Sequence, residues 1–104
     1  GGVISSVQLT ELAFHLRRRK SREKAEEVLL YITSLPGLEV IPVDADIAKS
    51  AGLLRARYRR MKLQKKFTYF DCLHIATALA SKCSKFVTGD RGFREVREIP
   101  VEIY

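Results

Sequence analysis

Three carboxylates stand where this chain can do chemistry. Asp90 lies in Val87-Thr88-Gly89-Asp90-Arg91-Gly92-Phe93, a glycine-flanked turn directly after the strand-like run Phe86 to Thr88. In open parallel sheets, ligands bind outside the carboxyl ends of the strands, where loops are free to present side chains. Glu11 follows the strand-like Gly2-Val3-Ile4-Ser5 by about one helical turn, and Asp71 opens an apolar helix expected over Tyr69 to Lys82. Three acids with room to converge, on a 104-residue chain of formal net charge +7, imply metal-dependent chemistry on a polyanion.

Each acid also has an ordinary reading. Asp71 and Thr68 have capping-box spacing, in which the carboxylate satisfies a free backbone amide. Yet Asp71 is the only acid between Phe67 and Gly89, and an unpaired buried carboxylate costs several kcal/mol by rough desolvation estimates, so a cation is expected to meet it. Asp90 suits a turn for backbone reasons alone, and Glu11 could be a surface glutamate on an amphipathic helix. His74, one turn past Asp71, reads as a packed or hydrogen-bonded residue with at most a supporting role. Asp44 and Asp46 follow a strand too, but N-capping and the helix dipole account for them.

The elements that must position these acids alternate along the chain. Gly2 to Ser5 reads as a strand, with Ser5 to Gln8 spaced as a capping box, followed by a helix with Leu9, Leu12, Ala13 and Leu16 on one face. Ser21 begins a second helix, with Ala25, Val28, Leu29, Ile32 and Leu35 on its apolar face, and Pro36-Gly37 stops it. Leu38 to Val43 reads as a strand. Asp44 caps a long helix burying Ile47, Ala51, Leu54, Tyr58 and Met61. The helix after Thr68 is apolar nearly all round and must be buried on more than one side. Lys85 to Thr88 and Val101 to Tyr104 complete the strands, with a turn and short helix from Gly89 to Glu95. This order predicts one α/β domain over residues 1–104, a three-layer α/β/α sandwich with a mostly parallel sheet. The chain opens abruptly on a strand, although a parallel sheet usually has its central strand early in the sequence, so the domain is expected to lack its first strand.

At 46% hydrophobic the chain can bury a core, and no apolar stretch is long enough to span a bilayer. The N-terminus lacks the order of a signal peptide, so a soluble, cytoplasmic protein is expected. Cys72 and Cys83 match no zinc spacing and read as buried free thiols on one helix. Positive charge is blocked. Arg17, Arg18, Arg19, Lys20, Arg22 and Lys24 form one block; Arg55, Arg57, Arg59, Arg60, Lys62, Lys65 and Lys66 form another without an acid. Such blocks suit phosphate binding through counterion release, and equally suit solvated helix faces.

The joint order of the three acids resembles the PIN-domain ribonucleases. The resemblance rests on Ile4-Ser5-Ser6-Val7-Gln8-Leu9-Thr10-Glu11-Leu12, on Phe70-Asp71-Cys72-Leu73-His74-Ile75-Ala76-Thr77-Ala78, and on Phe86-Val87-Thr88-Gly89-Asp90-Arg91-Gly92-Phe93. It spans essentially the whole chain, each motif being modestly specific and the ordered set strongly so. It implies that Glu11, Asp71 and Asp90 are catalytic metal ligands, with Thr88 at a supporting position. It also implies Mg2+ or Mn2+ as cofactor and hydrolysis of RNA phosphodiesters by the full-length protein. Hard divalent cations prefer carboxylate oxygens and keep several waters. Arg59, Arg60 and Lys62 are assigned to RNA binding. The compact form is similar to the toxins of VapBC toxin-antitoxin pairs, which implies an antitoxin partner and a homodimer. PIN domains begin with a strand carrying a further aspartate, so roughly 30 or more residues, about one strand-and-crossover unit, are expected ahead of Gly1. The rival from another class is a PIN-like module that binds RNA or protein without cleaving. A phosphatase- or receiver-like domain is disfavoured, because no lysine and hydroxyl pair stands at the spacing it needs.

Overall fold

The computed structural model describes residues 1–104 and resolves them into two compact units, Gly1–Val43 and Asp44–Tyr104. In the first unit, β1 (Gly2–Ser5) leads into α1 (Ser6–Arg19) and α2 (Arg22–Thr33), and β2 (Leu38–Ile41) returns parallel to β1. The register runs from Gly2 opposite Leu38 to Ser5 opposite Ile41. Parallel neighbours need a long crossover, which the two helices provide. Ser5 ends the strand and caps α1 through the Val7 amide, without the reciprocal bond a capping box requires. Ser21 caps α2 through Lys24, and Gly37 takes a positive φ of 79° as the chain turns into β2. β2 stops at Ile41 rather than Val43 because Pro42 has no amide to donate.

The second unit contains α3 (Ala45–Arg60), α4 (Tyr69–Ala80), β3 (Phe86–Thr88), a 3₁₀ turn (Arg91–Glu95) and β4 (Val101–Ile103), with β3 parallel to β4. Asp44 caps α3 through the Ile47 amide at 2.8 Å. Ile47, Ala51, Leu54 and Tyr58, spaced along one face, bury against α4. From α4 come Cys72, Ile75, Ala76, Thr77 and Ala78, all buried, and Thr77 satisfies its hydroxyl on the Leu73 carbonyl. An aromatic chain, Tyr58 to Phe67 to Phe93 to Phe86, has centroids 4.7, 5.4 and 5.1 Å apart. It ties the residue just before the α4 cap to the turn after β3. That tie brings the Asp71 and Asp90 regions together.

Two expectations fail at helix ends. α4 stops at Ala80, because Lys82 adopts a positive φ of 55° and the Lys82 and Cys83 amides donate to Leu79 and Ala78. These are the two bonds of a Schellman stop, here without glycine. Cys83 therefore lies beyond the helix and is half-buried, while Cys72 is a buried free thiol. Burial, followed by the nearby Asp71 charge, pushes the Cys72 thiol up to about 11, so it is not a nucleophile at neutral pH. Met61, expected in the core, is the extended C-cap of α3 and 42% exposed. No helix is long and apolar enough to cross a membrane.

Candidate active site

Asp71 is placed by its own helix start. Thr68 Oγ1 accepts from the Asp71 amide at 3.1 Å while Asp71 Oδ2 accepts from the Thr68 amide at 2.8 Å, so the capping box is real. The expected cation is also present. Lys65 Nζ lies 3.3 Å from the same Asp71 oxygen and 2.8 Å from Asp90 Oδ2, bridging the two carboxylates. Capping and ion pairing are compatible because one carboxylate oxygen can accept from two donors.

Asp90 likewise serves two ends. Its Oδ1 accepts from the Gly92 amide at 2.8 Å, starting the 3₁₀ turn, and its own amide donates to Thr88 Oγ1 at 3.1 Å. Thr88 thus supports the backbone that carries Asp90. Gly92 is required here: a Cβ would stand 2.8 Å from Lys65 Cβ and 2.6 Å from its Cδ. The lysine stem lies across the glycine, and its ammonium is 5.1 Å from the Phe93 ring centroid. Glu95 anchors the same loop by accepting from the Gln64 and Lys65 amides.

Lys65 and Asp71 side chains are each 18% exposed, while Asp90 is 47% exposed. Burial alone would lower Lys65, but its hydrogen bonds and attraction to Asp90 and Asp71 outweigh this and hold it above its ordinary range. Asp90 is held below the usual carboxylate range, first by the Lys65 hydrogen bond and then by the Gly92 amide. A carboxylate depressed in the folded state stabilises above its unfolded pKa, about 3.9, and loses that contribution as pH falls through its lower folded value. Asp90→Asn is therefore expected to flatten the acid limb of melting temperature against pH below about pH 4. An acid limb identical to that of the parent would show that the Lys65 contact does not persist in solution.

The structure brings Asp71 and Asp90 together; Glu11, half-buried in the second turn of α1, belongs to the first unit. His74 is half-buried on α4, one turn after Asp71. No group of three or more His, Cys, Asp or Glu side chains stands ready to hold a metal ion. Two carboxylates converging on one cation position nevertheless fit Mg2+, which is usually held by one or two carboxylates with waters and substrate phosphate completing the shell. The Lys65 ammonium occupies the space between the two carboxylates.

The second basic block divides by partner. Arg57 pairs with Glu98 at 2.6 Å, and Glu98 also accepts from the buried Tyr58 hydroxyl. Lys65 is taken up by the acid pair. Arg55 stacks on Tyr69, with its Cζ 4.1 Å from the ring centroid, and lines a groove with Arg59 and Arg60. Lys62 is exposed and outside that lining. Lys65, Arg55 and Tyr69 are the residues that sequence reasoning undervalued. Nothing local separates Lys65 from Lys66; only the path of the loop does.

Comparison with known proteins follows the same lines. The PIN domain family matches residues 1–99. Among solved structures, a chain of VapBC2 from Rickettsia felis, in a complex bound to a DNA fragment from their promoter, superposes with a TM-score of 0.78. It is 26% identical, and the match covers 97% of this chain and 73% of that one. The fold class agrees: helices with parallel strands, as the sequence implied. A search of curated proteins gives no match.

Proposed function

The chain belongs to the PIN domain family, and from that premise we propose that it serves as a divalent-metal-dependent ribonuclease, the toxin of a toxin-antitoxin pair. The observation that carries this reading is the convergence of Asp71 and Asp90 on one cation position, each carboxylate fixed by backbone bonds of its own. In this reading Asp71, Asp90 and Glu11 hold Mg2+ or Mn2+, with Thr88 and His74 in support. When bound, such a cation would supply a hydroxide-like nucleophile and charge neutralisation at the scissile phosphate. Asp71 and Asp90 are fixed by their own backbone bonds, Thr88 keeps the Asp90 backbone in place, and the Lys65 ammonium, which now bridges the two carboxylates, would have to give way to the cation. Arg59 and Arg60 hold the RNA strand, with Lys62 contributing from the exposed loop. The similarity to a VapBC2 chain supports an antitoxin as partner, and the same reading takes the assembly to be a homodimer.

The test is cleavage of single-stranded RNA with Mg2+ or Mn2+, expected to stop when a chelator is added. Cleavage that persists in chelator removes the metal from the mechanism. A second reading has its own support, since Lys65 already neutralises the pair and no three-acid cluster stands ready-made. On that reading the domain binds RNA or protein without cutting. RNA binding with no cleavage in either metal would favour it.

A further inference from the structure

Beside the first turn of α4 lies a groove that the acid pair does not account for. Gly52, Arg55, Ala56, Arg59 and Arg60 of α3 and Tyr69 of α4 line about 560 Å³, within the roughly 300–1,000 Å³ typical of small-ligand sites. Three of these residues are arginines and none is acidic. The Arg55 guanidinium lies over the Tyr69 ring, and its Nε is buried without a hydrogen-bond partner. Arg55 is thus held by a π face rather than by a carboxylate, and its charge remains for a ligand. Tyr69 is 65% exposed, an unusual setting for an aromatic ring already fixed in orientation by its neighbour. A Cβ on Gly52 would meet nothing within 4 Å, so the floor of the groove is open.

A planar, preordered, exposed platform beside clustered positive charge matches a nucleotide. Unpaired bases stack on aromatic rings and on guanidinium planes, and arginines grip phosphate oxygens. Bases in a duplex already stack on one another and cannot use the platform without flipping. Tyr69 and Asp71 share the first turn of α4, two positions apart and so on different faces of the helix.

We propose that this groove binds one unpaired nucleotide of a single-stranded RNA. Its base stacks on the Arg55–Tyr69 pair and its phosphate meets Arg59 and Arg60. The choice of RNA as ligand rests on the nuclease reading above. The experiment is fluorescence anisotropy in chelator, which prevents metal-dependent cleavage, with a labelled single-stranded oligoribonucleotide and the same strand in duplex. Tyr69→Ala is expected to weaken single-strand binding about 10-fold with duplex binding unchanged, and Tyr69→Phe to stay within about 3-fold of the parent, because the ring is what stacks. Tyr69→Ala should keep the parent salt slope, whereas Arg59→Gln with Arg60→Gln should reduce it by about 0.7, the value for the one phosphate no longer neutralised. The proposal is overturned if Tyr69→Ala binds single strands like the parent, or weakens on both forms equally. It is also overturned if the parent binds no RNA, including the case where an acidic peptide occupies the groove instead. A Tyr69-dependent preference for single strands in a protein that never cleaves would retain the subsite and sink the nuclease reading alone.

Discussion

Asp71→Asn is expected to lower RNA cleavage at least about 100-fold, since a catalytic metal supplies several kcal/mol of charge stabilisation and each ~1.4 kcal/mol is tenfold in rate. The substitution is clean because asparagine keeps a carbonyl oxygen that can accept the Thr68 amide, so the α4 cap survives. What it removes is charge. Two like charges without a cation between them would be relieved by the change, which by itself would predict a more stable protein. The geometry says otherwise: Lys65 already lies between the carboxylates, so no repulsion remains to relieve. Stability should instead fall slightly, by at most about 1 kcal/mol, because Asp90 retains the shorter contact to Lys65. Single-turnover cleavage and a thermal melt measure the two effects separately. A variant that cleaves at the parent rate would remove Asp71 from catalysis.

Lys65→Met carries the largest expected change in stability. Methionine keeps much of the apolar stem that lies across Gly92, so packing is largely preserved while the ammonium is removed. Asp71 and Asp90 then face each other uncompensated. Removing one partner of a fully buried pair costs roughly 3–5 kcal/mol, and the 47% exposure of Asp90 brings this down to about 1–2 kcal/mol. In a domain of this size that is a fall in melting temperature of roughly 4–15 °C. If the ammonium and a divalent cation share one position, millimolar Mg2+ or Mn2+ should raise the melting temperature of Lys65→Met more than that of the parent. Equal metal-induced shifts in the two proteins would separate the lysine from the metal position. No fall in the metal-free melt would show that the bridge contributes nothing.

These expectations draw on two kinds of information. Ser5, Ser21, Asp44 and Thr68 announce helix starts because a cap is chemistry within three residues, and the four helices begin at those caps. The apolar faces of α3 and the all-round apolar α4 follow from helical period in the same way. Asp71 and Asp90 were legible as a candidate pair because each stands at an element boundary facing a short loop. Helix ends were less legible. Lys82 takes the left-handed conformation without being glycine, and Met61 leaves the helix one residue past Arg60. Both depend on which carbonyls the surrounding structure leaves to be capped.

Partner choice belonged to tertiary structure alone. Lys65 looks like its neighbours in a basic run, yet it meets carboxylates that follow it in sequence by six and twenty-five positions. Arg57 goes to Glu98 and Arg55 to the face of Tyr69, so one block of like charges has three fates. Composition and period report what a residue can do within a turn or two of chain. Where a long, flexible cation ends up is decided by the aromatic contacts among Tyr58, Phe67, Phe93 and Phe86, which set the path of the loop. Those contacts join residues distant in sequence, and no local pattern encodes their geometry.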